Sequence, residues 1–188
     1  MSEYVELVMS DTQDRMEKAI AHSRAEFASI RSGRAAPQLV EKLSVEAYGV
    51  EMRLQEMASV AIPEARQLLI TPHDPSNLEA VERAIRTSDL GLSPSSDGRS
   101  IRLNFPPLTE ERRKELVKIV KKMAEDGRIS LRNIRRDARK ELENGEKDNQ
   151  LTADELARAE KDLDRLTQTS EATVDGALAT KEEELLEV

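Results

Sequence analysis

"PPLTEERRKELVKIVKKMAEDGRISLRNIRRDARKEL", residues 106–142, is the stretch on which the fold turns. Pro106 and Pro107 break whatever precedes them. Thr109 stands where a helix N-cap is wanted, and Glu110 and Glu111 complement the positive end of the helix dipole. Leu116, Val120, Met123, Gly127, Leu131, Ile134, Ala138 and Leu142 then recur at spacings of 4, 3, 4, 4, 3, 4 and 4. That is one face of a helix, and it runs to about Gly145. At 1.5 Å per residue the helix is about 50–55 Å long. Gly127 costs roughly 1 kcal/mol against Ala in a helix interior. Its place on the apolar face predicts close approach of another helix.

A helix of this length must bury its stripe on something comparable. After the polar turn "GEKDNQLTADEL", with Thr152 as N-cap, residues 153–186 carry Leu156, Leu163, Leu166, Val174, Leu178 and Leu185 at helical spacing. The short connection predicts an antiparallel pair. Residues 2–31 repeat Met9, Met16, Ile20, Ser23, Phe27 and Ile30 with no Gly or Pro until Gly33. This segment is the third helix of a bundle.

Between the first and second long helices the period changes from helical to alternating. "LSVEAYG", "VEMRLQ", "ASVAIP", "RQLLITP" and "IRLNFP" read as short strands. "DPSNLEAVERAIRTSDLG" reads as a helix capped by Asp74, opened by Pro75 and stopped at Gly91. "SPSSDGRS" reads as a turn-rich loop. The expected fold is α+β: an elongated three-helix bundle from 1–32 and 107–188, with a small β/α/β domain, 33–106, inserted. Two chain crossings near 31–34 and 105–108 join the parts. Ser32, Gly33, Pro106 and Pro107 are the hinge candidates.

The second long helix also carries Lys114, Lys118, Lys121, Arg128, Arg132, Arg135 and Arg139, interrupted in sign only by Glu125. Counted two residues from the apolar series, about 200° around the helix, this stripe is expected to face solvent. Two readings are open. One is a solvated face balanced by acids on neighbouring helices. The other is a nucleic-acid contact. The second gains from arginine's flat five-donor fork, which matches phosphate. It gains also from the acidity of the whole chain, net charge −8 over 188 residues, which opposes indiscriminate binding to polyanions. With 2% aromatics, contacts would go to phosphate and sugar rather than stacked bases.

Other chemistry is sparse. The absence of cysteine removes disulfides, thiolate metal sites and thiol nucleophiles. The acidic N-terminus does not read as a targeting signal, and no apolar run approaches a membrane span, so a cytoplasmic protein is expected. Neither G-x-x-x-x-G-K-[ST] nor G-x-G-x-x-G occurs, so no nucleotide cofactor is expected and mechanical work would need a partner. His73 and Asp74 of "TPHDP" lack a companion nucleophile motif, and Asp74 already has a capping role. An enzyme is not expected.

"IRSGRAAP", "SDLGLSP", "PPLTEERRKELVKIVKKMAEDGRISLRNIRRDARKEL" and the terminal "KEEELLEV" together resemble the bacterial ribosome recycling factor family over essentially the full chain. Exchanges are mild, such as Ser32 in place of Thr. The resemblance implies an L-shaped molecule with a flexible two-strand hinge and an outline similar in size to a transfer RNA. It implies a monomer that binds 23S ribosomal RNA of the large ribosomal subunit and splits post-termination ribosomes with elongation factor G and GTP. By motif, Arg132 and Arg135 are the first RNA-contact candidates, then Arg31 and Arg34. Arg128 and Arg139 join from the stripe, and Arg136 ranks lower. The alternative is a coiled-coil scaffold or chaperone-like module that touches no RNA.

Overall fold

The computed structural model describes residues 2–187. Backbone contacts divide them into two compact units, 1–31 with 110–188, and 32–109.

The first unit is a bundle of three long helices that all touch one another: α1 (Glu3–Ser29), α5 (Glu110–Lys147) and α6 (Ala153–Leu186). Ser2 caps α1, its hydroxyl accepting from the Val5 N–H. At α6, Thr152 and Glu155 form a reciprocal capping box, each side chain accepting from the other residue's backbone N–H. The turn between α5 and α6 therefore satisfies its own exposed donors. The predicted stripe on α5 is buried at Leu116, Val120, Gly127, Leu131, Ile134, Ala138 and Leu142. Ala124 takes the buried place expected of Met123.

Small and hydroxylated residues fill much of the seam. Thr12, Ser23, Thr167 and Ser170 are all buried. Thr12 and Thr167 donate to the carbonyls of Val8 and Leu163 one turn back, so their hydroxyls need no partner across the interface. Gly127 faces Ser23 of α1 so closely that a Cβ there would overlap the Ser23 Oγ. Gly145 meets the Tyr4 ring, and a Cβ would stand 2.7 Å from a Leu151 methyl. Close approach is thus the reason for both glycines.

In the second unit the short helix α2 (Gln38–Glu41) precedes a hairpin of β1 (Ser44–Ala47) and β2 (Val50–Arg53). Tyr48 and Gly49 make its turn with φ of +55° and +73°. Two successive positive φ values suit the twist of a two-residue hairpin. Helix α3 (Leu54–Met57) leads into β3 (Ala58–Glu64) and β4 (Gln67–Pro72). A 3-10 turn at Pro75–Asn77, capped by Asp74, opens α4 (Leu78–Thr87). Then come β5 (Pro94–Ser96) and β6 (Ile101–Asn104). The four strands pair antiparallel in the order β3-β4-β6-β5. Val45, Leu54, Leu68, Ile70, Val81, Ile85, Ile101 and Leu103 form one continuous aliphatic core.

Two local expectations are corrected. "SPSSDGRS" contains strand β5, because β6 supplies a pairing partner and Pro94 sits at the sheet edge where its missing N–H is tolerated. Helix α4 ends at Thr87 rather than at Gly91, with the Ser88 N–H and hydroxyl both donating to the Ile85 carbonyl. Within this unit Gly33, at φ +77°, lies against the other crossing. A Cβ there would approach Leu108 Cγ at 3.3 Å and the Pro106 carbonyl at 3.6 Å.

Candidate nucleic-acid interface

Helix α5 has three faces, and residue offset sorts them. Gly127, Leu131, Ile134 and Ala138 turn inward. Arg128, Arg132, Arg135 and Arg139 each follow one of these by a single residue, about 100° around the helix. They therefore lie on a flank beside the core. The expectation that they point directly away from the apolar stripe is corrected on this ground.

That flank borders α6. Arg132 Nε lies 2.9 Å from Glu171 Oε1, Arg135 Nη2 2.8 Å from Asp164 Oδ1, and Arg139 Nε 3.0 Å from Glu160 Oε1. Arg128 pairs with Asp175, and Lys121 with Glu182 at 3.6 Å. The partners descend α6 as the basic residues ascend α5, as antiparallel helices require. Glu125 adds a bridge on α5 itself, to Arg128 at 2.8 Å and Arg132 at 3.2 Å. Its hydrogen bond from Arg128 holds the Glu125 carboxyl below the ordinary range. Burial acts to lower the Arg128 pKa, but the hydrogen bonds to Glu125 and Asp175 outweigh it and leave the guanidinium above its usual value. The near absence of acids read along α5 does not hold for the assembled flank.

The true outward face comprises residues two past the buried ones. These are Lys118, Lys122, Asp126, Ile129, Asn133, Arg136, Lys140, Asn144 and Lys147, all exposed, with Asp126 the single acid among them. Arg136 Nη2 donates to Asn133 Oδ1 at 3.2 Å. Among the described residues Lys118, Lys122, Arg136 and Lys140 have no ion-pair partner. Except for Lys118, sequence reasoning missed this line or ranked it low. The signal was present as the two-residue offset, applied to the wrong basic residues.

Arg31 follows α1 in the bundle unit, and Arg34 belongs to the smaller unit; both are exposed. His73 is exposed beside Asp74. Asp74 accepts from the Tyr48 hydroxyl and from the Ser76 N–H and hydroxyl at 2.9 and 2.8 Å. These bonds, that from Tyr48 foremost, hold the Asp74 carboxyl below its usual pKa. Its role is structural. Among the described residues no group of three or more His, Asp or Glu is placed to hold a metal ion, and no helix is long and apolar enough to cross a membrane.

Comparison with known proteins fixes the lineage. The family model described as ribosome recycling factor matches residues 23–186. The chain belongs to the ribosome recycling factor family. It is 48% identical over 188 residues to the ribosome-recycling factor of Rubrobacter xylanophilus, covering all of both chains. Against the Bacillus subtilis factor the identity is 46% over 181 residues, covering 96% of this chain and 98% of that one. A solution structure of a ribosome recycling factor is similar with a TM-score of 0.78 and 34% identity over the whole of both chains. A second structure holds the T. thermophilus ribosome recycling factor and E. coli elongation factor G bound to the E. coli post-termination complex; its similarity is 0.64 at 40% identity, again over both full chains. Ribosome recycling factors are thus the frame for the α5 surface.

Proposed function

We propose that this chain splits post-termination ribosomes into subunits together with elongation factor G and GTP, holding the large subunit through helix α5. The observation that carries the reading is the 48% identity to a ribosome-recycling factor across all 188 residues. The surface of α5 supplies its chemistry. Lys118, Lys122, Arg136 and Lys140 offer unpaired positive charge, and Arg128, Arg132, Arg135 and Arg139 offer planar forks for phosphate. Arg31, just after α1, and Arg34, in the smaller unit, are further candidates for RNA contact. The chain makes and breaks no bond. It acts as a cytoplasmic monomer, and the energy comes from the partner's GTP.

In this mechanism the bundle seats on 23S ribosomal RNA and the smaller unit takes the push of elongation factor G. The connections at Ser32–Gly33 and Pro106–Pro107 serve as the hinge between units 1–32 with 107–188 and 33–106. Force delivered to the smaller unit is transmitted through the bundle to the contacts between subunits.

The carboxylate ladder on α6 favours a second reading, a scaffold whose basic flank is internally neutralised and touches no RNA. Ribosomes purified after termination separate the two. Sedimentation with elongation factor G and GTP is expected to show free subunits only when the chain is added. Ribosomes that stay intact overturn the proposal. Large-subunit binding should fall steeply with rising monovalent salt, since phosphate contacts release counterions. A salt-insensitive interaction supports the scaffold.

A further inference from the structure

The two basic lines of α5 differ in what surrounds them. The outward line has no carboxylate partner among the described residues. On the flank, Arg128, Arg132, Arg135 and Arg139 are each matched with a carboxylate of α6, namely Asp175, Glu171, Asp164 and Glu160. Packing does not require this ladder. Leu131, Leu142, Leu163 and Val174 already form a buried apolar seam. Exposed ion pairs contribute only about 0.2–1 kcal/mol each.

The effect on an approaching polyanion is larger than the effect on folding. A phosphate can engage these arginines only by replacing a carboxylate or by sitting beside one. Arg132 and Arg135, with Asp164, Thr167, Gln168 and Glu171, line a recess of about 240 Å³ between the two middle pairs. Exchange of a carboxylate for a phosphate keeps a charge-assisted bond of similar kind. The displaced carboxylates remain within a Debye length of the RNA, about 8–10 Å at moderate salt, and repel it.

We infer that Asp164 and Glu171, aided by Glu160 and Asp175, are built-in competitors of phosphate that make the arginine flank discriminate between RNA surfaces. A folded RNA that presents several phosphates in fixed positions displaces the ladder together. A flexible strand meets the same repulsion and must also lose conformational freedom to match four arginines at once. Discrimination is a difference of affinities, and repulsion against the wrong ligand supplies it as well as attraction to the right one does. The unpaired outward line then attracts polyanions without discrimination, as point charges do. Overall negative charge disfavours all RNA alike; the ladder acts only where the forks are. This inference rests on the reading of α5 as an RNA contact surface.

The test is the full-length protein carrying Asp164→Asn and Glu171→Gln. Affinities for poly(U) and for purified large ribosomal subunits are measured at one salt concentration, with helicity and thermal midpoint as folding controls. Affinity for poly(U) is expected to rise about tenfold, with a steeper salt dependence. Affinity for large subunits is expected to rise severalfold less, so the ratio between the two ligands shrinks. Unchanged poly(U) binding overturns the inference. An equal rise for both ligands, or loss of large-subunit binding because the acids aim the arginines, also overturns it. Asp164→Asn alone, at a position whose side chain is 52% exposed, repeats the test should the double variant fold poorly. Arg132→Ala with Arg135→Ala is measured in parallel. If that variant binds large subunits as well as the parent does, the RNA-contact reading itself fails, a result distinct from failure of the competition.

Discussion

The bundle and the smaller unit solve the problem of a core in opposite ways. The smaller unit gathers Leu, Ile and Val from strands and a helix into one aliphatic cluster. The bundle spreads a thin seam along helices of up to 38 residues, about 57 Å, and draws them together with Gly127, Gly145, Ser23 and Ala138. Each bundle layer therefore holds little apolar area but tolerates little added volume. The smaller unit should be sensitive to lost methylenes, and the bundle to gained ones.

The largest expected effect is in the smaller unit. Ile70→Ala, at a position with no solvent exposure, should destabilise that unit by about 2–5 kcal/mol through lost transfer energy and a cavity. Hydrogen exchange resolved by residue should show the loss in β4, β6 and α4 while amides of α5 and α6 keep their protection. If protection falls equally in both units, they unfold as one and the contrast drawn above is mistaken.

Gly145→Ala probes the bundle from the other side. The new Cβ meets the Tyr4 ring, which is anchored by its hydroxyl donating to the Glu141 carbonyl at 3.1 Å, and a Leu151 methyl. Overpacking of this kind costs about 1–3 kcal/mol. That exceeds the roughly 1 kcal/mol that Ala gains over Gly in helix propensity. A net loss in thermal stability is expected, and a net gain would show that the helix ends can part freely.

Gly127 allows a finer test, because the obstacle there is one hydroxyl. Ser23 Oγ is buried without a hydrogen-bond partner and is the atom that a Cβ at 127 would strike. Gly127→Ala alone should destabilise. With Ser23→Ala present the same change should stabilise, since the clash is gone and the helix propensity of Ala over Gly remains. The coupling in this double-mutant cycle is expected to be about 1 kcal/mol. Additive effects would mean that the helices shift rather than the side chain.

These same residues explain what was legible in the sequence. On α5 large apolar side chains mark the buried face at helical spacing, so the second helix could be read almost residue by residue. On α1 and α6 the buried positions include Thr12, Thr167 and Ser170, whose polarity hides them. The threonine hydroxyls are satisfied within their own helix, a fact that spacing does not disclose. Half-buried Met9, Ile20, Leu156 and Leu166 were read in their place. Strand β5 was illegible for another reason: its composition is that of a turn, and only the partner strand makes it β. For the candidate site, spacing put the arginines of α5 on one side of the helix, and they do share one flank, though not the face turned directly away from the core. It could not reveal the α6 carboxylates, because cross-helix pairing depends on how two stripes meet in space.

The smallest expected effect lies at the hairpin of the smaller unit. Tyr48 holds a positive φ that non-glycine residues rarely adopt, and its hydroxyl reaches Asp74 and Ser76 at the start of α4. The hairpin tip is tied to the helix start by this contact, on the exterior of a core that does not need it. Tyr48→Phe removes the foremost cause of the lowered Asp74 pKa and should move it up toward the ordinary carboxylate value. A depressed carboxyl pKa contributes stability that is complete above the unfolded value and is lost as pH falls through the folded value. The parent should therefore keep an advantage over Tyr48→Phe near neutral pH, and the advantage should shrink in acid as Asp74 protonates. Carboxyl titration by NMR reads the shift directly. An Asp74 midpoint that does not move on Tyr48→Phe would assign the depression to the Ser76 bonds alone and leave the tyrosine with no electrostatic part in holding the turn.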